Sequence, residues 1–481
     1  MSGGADRVDG RLLGMAFVLV LGTFMASLDS TIVNIGMRTL RVEFGASLTE
    51  VQWAGTAYLL AVVAAAPTSG WLAERFGARR TWLGALLVFL AGSAACAFAW
   101  SITSLVAFRV LQGVGGGLLL PTGQALLAAV AGPGRTGRIM SIAGIVPMLA
   151  PVLGPLLGGV VLRVADWSWL FYVNLPTGLV ALVLARRLVP RVPPSGTGHR
   201  FDVRGALVLS PGLALLVFGL TELASNRSGI GVAPVAIAVG AAMLVVFARH
   251  ALRTRTPLLE LRLFTTPPFS SAALALFVAA ASVFGTMFLL PMYLQAGRGL
   301  TAWDTGLLLA PQGVGAALGS VVVNRTIDRL APRTIVVTGF AIVVVATVPF
   351  TRLDGLPDAL LVSALLVRGF GTAMIASPVM TVVYGSVDRE LLPRAASALN
   401  LLNYVGGALG TAVVAVLLEL RVTAEAPDVA NAFGTTFWCV LGLCVLALLG
   451  ALRLPGNGPG GRGSRLMPAG SPHRPRRGRA S

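Results

Sequence analysis

The chain has 481 residues, of which 56% are hydrophobic and 12% charged. That is about half the charged share of a soluble domain, too little polar side chain to cover a water-facing surface of this length. The formal charge of +18 rests on arginine alone, since no lysine occurs, and those arginines lie in short segments between apolar runs. The pattern reads as membrane topology rather than as a nucleic-acid surface, and it excludes disorder and a soluble multidomain enzyme.

A hydrocarbon core of about 30 Å takes roughly 20 helical residues. Charged clusters and turn residues divide the chain into fourteen such runs, at 12–36, 51–72, 81–100, 105–130, 139–162, 168–186, 205–223, 230–248, 270–295, 303–323, 334–351, 359–384, 396–418 and 433–452. Helices are expected throughout, because open strands would leave backbone groups unpaired in lipid. The first run follows Arg7 and Arg11, lacks a small-residue cleavage site and carries Asp29, so it is expected to stay as a span and not to act as a signal peptide. With the N-terminus in the cytoplasm, 28 arginines fall on the inner side and seven on the outer, and Arg109 and Arg368 lie within spans. The positive-inside rule favours that orientation, and an even number of spans keeps the basic tail inside.

The string GWLAERFGARR at Gly70–Arg80 follows the second span, and a fainter copy, NRTIDRLAPR, runs from Asn324 to Arg333 after the tenth. Glu74 and Arg75 align with Asp328 and Arg329, and Arg109 in the fourth span is echoed by Arg368 in the twelfth. These repeats divide the chain into an N-terminal segment 1–11, a six-helix bundle 12–186, a linker with two inserted helices 187–262, a second six-helix bundle 263–453 and a disordered basic tail 454–481. Transporters are often built from such repeats, with the substrate near the midplane between them. The three cysteines lie in apolar runs and read as packing residues, and no metal-ligand spacing occurs.

Several strings together resemble the major facilitator superfamily in its fourteen-span drug:proton antiporter branch. They are LDSTIVNIG at Leu28–Gly36, the loop motif at Gly70–Arg80, RVLQGVGGGLLLP at Arg109–Pro121, APVLGPLLGG at Ala150–Gly159, WSWLFYVNLPTG at Trp167–Gly178 and SALNLLNYVGGALG at Ser397–Gly410. The chain departs from the family pattern at Glu74, where Asp is usual, and at Ala78, where a basic residue is usual. The resemblance implies an all-α fold of two six-helix bundles plus two inserted helices, fourteen spans in all, with both termini cytoplasmic.

An ionisable residue inside a span marks a functional site by default. Asp29 is such a residue, and two roles stand open for it: proton coupling, or bracing a helix break through Thr31 or backbone amides. Arg109 keeps its proton and needs an acceptor; Gln112 and the glycines that follow share its helical face. The resemblance implies a proton-coupling role for Arg109 and a structural or coupling role for Asp29. It also makes Pro147, Pro151, Gly154, Pro155, Gly158 and Gly159 the antiporter motif, a kinked helix with a small-residue face. Gly70, Glu74, Arg75, Gly77 and Arg79, with Asp328 and Arg329, are expected to form a cytoplasmic gate in a tight loop, Gly77 taking a positive φ. Asn34, Tyr58, Gln112, Gln124, Asn400 and Asn403 are polar residues at depth that line the cavity or bond between helices.

The expected activity is proton-coupled efflux of amphipathic, often cationic compounds across the plasma membrane by a monomer that needs no cofactor. No P-loop string is present, so the energy must come from a gradient, about 2.3 kcal/mol per charge through 100 mV. Export of one endogenous metabolite or self-made antibiotic, and proton-coupled nutrient uptake, are the rival activities for the same fold. The histidines His199, His250 and His473 all fall outside the spans, which opposes intramembrane catalysis.

Overall fold

Long apolar runs interrupted only by single prolines and glycines become long helices, and in the computed structural model those helices account for nearly all the regular structure. The structure describes residues 10–46, 48–131, 139, 153–154, 157–191, 201–225, 231–254, 257–327, 329–387, 391–425 and 429–454. Helix α1 spans Gly10–Glu43 and α2 spans Leu48–Ala65, continued through a tighter turn at Ala66–Thr68 into a short helix Ser69–Phe76. Next come α3 (Ala78–Ala97), α4 (Ile102–Ala131), α5 (described over 157–164) and α6 (Asn174–Leu188), which a short helix at Trp169–Tyr172 precedes. The inserted pair is α7 (Val203–Ser225) and α8 (Val232–Arg253). The second half holds α9 (Pro267–Met292), α10 (Ala302–Thr326), α11 (Pro332–Thr347), α12 (Asp358–Ser386), α13 (Leu392–Glu425) and α14 (Val429–Ala451). Among the described residues, thirteen segments are long and apolar enough to cross a membrane; most of the expected fifth span, 139–162, lies outside the described residues. The expected tail beyond Leu454 and the N-terminal residues before Gly10 also lie outside them.

Local chemistry sets several helix ends. Ser101 and Ser104 cap the start of α4 reciprocally, each hydroxyl accepting the other's backbone N–H at 3.1 and 3.0 Å. Thr301 caps α10 by accepting the Asp304 N–H at 3.1 Å. The motif at Gly70–Arg80 is not the expected loop: its first half is helical, and the chain reverses at one residue, Gly77, with φ +86°. Gly77 ends one helix by donating to the Ala73 carbonyl at 2.9 Å and starts α3 by accepting from Thr81 at 3.1 Å. A side chain is disfavoured at that φ, so one glycine does the work of a loop.

Helices α1–α4 and α6 pack against one another, as do α9–α14. Glycines set the spacing within each. A Cβ at Gly113 would fall 2.5 Å from the Tyr58 carbonyl of α2, and one at Gly92 would fall 2.6 Å from the Gln112 backbone, so α4 lies directly against α2 and α3. In the second bundle, a Cβ at Gly369 would overlap the Gln312 carbonyl of α10, and Gly339 faces Gly371 between α11 and α12. Such small-residue contacts suit lipid, where helices gain little from hiding apolar surface and rely on close packing. The inserted hairpin packs its two helices on each other, and α7 also lies against α2 of the first bundle and α13 of the second.

Gly369→Val is expected to lower the melting temperature of the purified protein and its folded yield, since overpacking costs about 1–3 kcal/mol. Gly84→Val, where nothing lies within 4 Å of an added Cβ, should leave both unchanged. Size-exclusion profiles and thermal unfolding in detergent read the difference.

Candidate functional site

Asp29 is fully buried near the middle of α1, which runs unbroken past it. The carboxylate therefore braces no helix break, and the Thr31 hydroxyl donates instead to the Leu28 carbonyl at 2.9 Å. Asp29 pairs with the Arg109 guanidinium of α4 and accepts from the Gln112 and Asn174 side-chain amides, each at 2.8 Å. Arg109 also donates to the Ala54 carbonyl at 3.0 Å and to Gln112 Oε1 at 2.7 Å, and its guanidinium carbon lies 4.1 Å from the centre of the Tyr58 ring. The Tyr58 hydroxyl donates to the Ala26 carbonyl at 2.9 Å. Ser93 of α3 accepts from Gln112 and Asn174 at 3.1 and 2.9 Å and donates to the Phe171 carbonyl at 3.0 Å.

This arrangement orients each amide without ambiguity. Gln112 gives its oxygen to the arginine and its nitrogen to the acid, so it bridges the ion pair from outside. Three donors address Asp29, and a proton on the carboxyl would displace one of them. The Tyr58 ring face adds a cation–π contact for Arg109. Arginine snorkelling to the membrane surface is ruled out, because the side chain has no exposed area. Gly154 brings the fifth span in from the other side: a Cβ there would collide with Thr31, two residues from Asp29.

A second cluster lies at the end of the molecule that carries the arginine-rich loops. Glu74 makes a bidentate pair with Arg394 in the first turn of α13, at 2.6 and 2.8 Å. Glu260, in the segment after α8, approaches the same guanidinium at 3.7 Å. Ser397 donates to the Ala66 carbonyl at 3.0 Å and Asn400 donates to Gln124 at 2.7 Å, both bonds crossing between the bundles. The backbone at Gly70 lies against Arg394, where an added Cβ would sit 3.3 Å from its Cα. Of the residues expected in the gate, Glu74 makes the charged contact across the seam. Arg75 is exposed, and Arg79 donates to the Arg186 carbonyl at the end of α6, at 2.6 Å, while Glu74 reaches across to the other half. The helical continuation to Phe76 aims Glu74 at the seam and turns its arginine neighbours away.

Several of the remaining expected residues fall outside the described ones. Asn34 lies on α1 and its side chain is outside the described residues, as are Pro147, Pro151, Pro155 and Asp328. Gly158 and Gly159 lie at the start of α5, and nothing lies within 4 Å of a Cβ added at Gly159. Asn403 is half-buried on α13, and Arg329 is exposed. Ser93, Asn174, Arg394 and Glu260 belong to the two clusters without having been singled out from the sequence. Asn174 lay inside a recognised string, and Arg394 had a signal of its own: a cation at a helix N-terminus opposes the helix dipole and calls for an acid.

Asp29→Asn leaves a buried cation without its acid, a change expected to cost about 3–5 kcal/mol, and the double variant Asp29→Asn with Arg109→Gln should recover part of that loss. A double-mutant cycle on thermal unfolding measures the coupling.

Residues 19–411 match the model of the Major Facilitator Superfamily. The chain is 37% identical over 423 residues to the Multidrug resistance protein B homolog of Mycobacterium tuberculosis, covering 86% of this chain and 78% of that protein. It is 32% identical over 410 residues to the Lincomycin resistance protein LmrB of Bacillus subtilis, covering 84% and 85%. The fold is similar to that of the proton:xylose symporter XylE, with a TM-score of 0.65 at 15% identity over 93% of this chain and 96% of that one. The human organic anion transporter MFSD10 gives a TM-score of 0.64 at 18% identity over 92% and 99%. With its repeated helical bundles and buried intramembrane ion pair, this multi-pass membrane protein belongs to the major facilitator superfamily, a family of transporters and not of enzymes.

Proposed function

We propose that the protein exports amphipathic small molecules, drugs and antibiotics among them, in exchange for protons by alternating access. The observation that carries this reading is the dry Asp29–Arg109 pair held by Gln112 and Asn174. A carboxylate in low-dielectric surroundings changes its proton affinity when its donors move, and a fixed guanidinium beside it makes the two charge states structurally distinct. Relatives bearing the names of a multidrug resistance protein and a lincomycin resistance protein supply the cargo class.

In the proposed cycle the arginine-rich end faces the cytoplasm. The Glu74–Arg394–Glu260 cluster then acts as a latch that holds this end shut. A proton arriving at Asp29 neutralises the carboxylate and frees Arg109 to take other acceptors. That rearrangement shifts α1 against α4 and weakens the closed arrangement of the bundles. Substrate enters from the cytoplasm once the latch opens, and proton release resets the pair. The bilayer gradient drives the cycle, and one chain is sufficient for it.

Accumulation of fluorescent cations, lincomycin and neutral drugs in cells with and without the protein tests the reading. Lower accumulation that disappears when the proton gradient is collapsed is expected. Unchanged accumulation across the whole panel would overturn drug export and leave a narrow-substrate exporter of the same fold. Asp29→Asn should abolish substrate-induced proton flux in vesicles, whereas Asp29→Glu should retain part of it.

The latch has its own test. A charge-assisted pair of this kind contributes about 1.5–3 kcal/mol, so Glu74→Gln should move the population toward the inward-open state by about ten- to a hundredfold. The charge swap Glu74→Arg with Arg394→Glu should recover much of the shift. Alkylation of Ser397→Cys from the cytoplasmic side, slow in the parent and fast with Glu74→Gln, measures it.

A further inference from the structure

The second bundle buries a positive charge that it does not neutralise. Arg368 of α12 has no exposed area. Its Nη2 donates to Thr286 Oγ1 at 2.8 Å, the Ser282 carbonyl at 3.2 Å and Ser282 Oγ at 3.3 Å, and its Nε donates to Thr347 Oγ1 at 3.3 Å. Nη1 is buried and has no hydrogen-bond partner. The hydroxyl and carbonyl acceptors in this shell are neutral, the Cys444 thiol stands beside the guanidinium, and among the described residues neither a carboxylate nor an aromatic ring meets it.

The contrast with the first bundle sharpens the point. The two arginines stand on corresponding helices of the two halves: Arg109 reaches from α4 to Asp29 of α1 and the Ala54 carbonyl of α2, and Arg368 reaches from α12 to Ser282 and Thr286 of α9 and Thr347 of α11. Asp29 stands on α1, whereas the matching helix α9 offers the hydroxyls of Ser282 and Thr286. On the α6 side stands the Asn174 amide, and on the α14 side Cys444, whose sulfur lies 2.9 Å from Ser282 Oγ. The Thr286 and Thr347 hydroxyls give their hydrogens to the Ser282 and Val343 carbonyls, so neither supplies negative charge. A lone guanidinium in low dielectric draws in a counter-charge, because leaving it uncompensated is far costlier than desolvating a small anion beside it.

From this shell we infer that Arg368 is a binding site for one small monovalent anion, either an inorganic halide or a carboxylate, received at Nη1 and flanked by Ser282. One uncompensated charge calls for one negative charge, and the site has the donors that an anion uses. The anion completes in the second bundle the kind of neutral pair that the Asp29 carboxylate and Arg109 form in the first. The site therefore ties the packing of α9, α11, α12 and α14 to the anion supply, apart from any proton movement at Asp29.

Purified protein in a bulky organic sulfonate salt, titrated with chloride or with acetate at constant ionic strength, tests this. A saturable rise in melting temperature of about 2–4 °C is expected with at least one of them. A response to chloride alone identifies a halide site, and a response to acetate identifies one that accepts carboxylates. Ser282→Asp supplies a fixed acid on α9, and it should raise the melting temperature in the sulfonate salt and remove the anion response. Equilibrium binding of radiolabelled chloride and of radiolabelled acetate to the parent protein gives a readout independent of that variant. Saturable binding of either ion, near one per chain, supports the site. Binding of neither, or an anion response undiminished in Ser282→Asp, overturns it in favour of a water at Nη1. The readout is binding to purified protein, so it stands or falls separately from the export reading.

Discussion

A charge inside lipid must bring its own solvent, and the first bundle is organised around that constraint. Asp29 and Arg109 neutralise each other, but an ion pair still has lone pairs and protons left over, and in hydrocarbon each would cost several kcal/mol if left bare. Gln112, Asn174, Ser93 and the Ala54 carbonyl take up most of that remainder. Five helices must therefore hold their positions for the pair to be satisfied. Motion in any one of α1, α2, α3, α4 or α6 reaches the carboxylate, which is what a coupling site requires.

The same constraint explains a difference in how contacts are made within and between the bundles. Inside each bundle, helices meet glycine against backbone, at Gly113 on Tyr58 and Gly369 on Gln312, with no side chain to rearrange. Such contacts are lost outright if the helices separate by an ångström, so each bundle holds together as a body. Between the bundles, the bonds run through side chains: Glu74 with Arg394, Ser397 with Ala66, Asn400 with Gln124. The two halves differ in charge. One half closes its buried arginine with an acid and the other surrounds it with hydroxyls.

Much of the architecture was readable from hydropathy, because a span of lipid demands an apolar run of known length and the arginines punctuate those runs. Asp29, Arg109 and Gln112 were also visible as polar groups at depth, and the structure brings all three together. The third and fourth partners were not. Asn174 and Ser93 are small neutral residues of kinds that occur throughout membrane helices, and only their meeting in space gives them meaning. The partner of the gate residue Glu74 was hidden for a different reason. A run of Gly, Glu and Arg reads as a loop, yet Gly70–Phe76 is helical because only Gly77 has a backbone that helix cannot accept. Once that segment is a helix, Glu74 points to α13, and its partner lies 320 positions away, beyond the reach of any local pattern.

The residues that cross from α13 follow a spacing that bears on reversibility. Arg394, Ser397 and Asn400 recur every three positions, so they lie along one face of α13 and are offered to the first bundle in sequence from the helix end inward. A seam of interlocked apolar side chains would expose oil to water on opening. This face instead exposes a guanidinium, a hydroxyl and an amide, each of which water can satisfy at little net cost, since a hydrogen bond traded for one to water changes the free energy by only about 1 kcal/mol. The closed arrangement is thus specific without being deep. The inserted α7 lies against α2 on one side of that seam and α13 on the other. A transporter needs two states within a few kcal/mol of each other, and a polar seam between two rigid bodies meets that requirement.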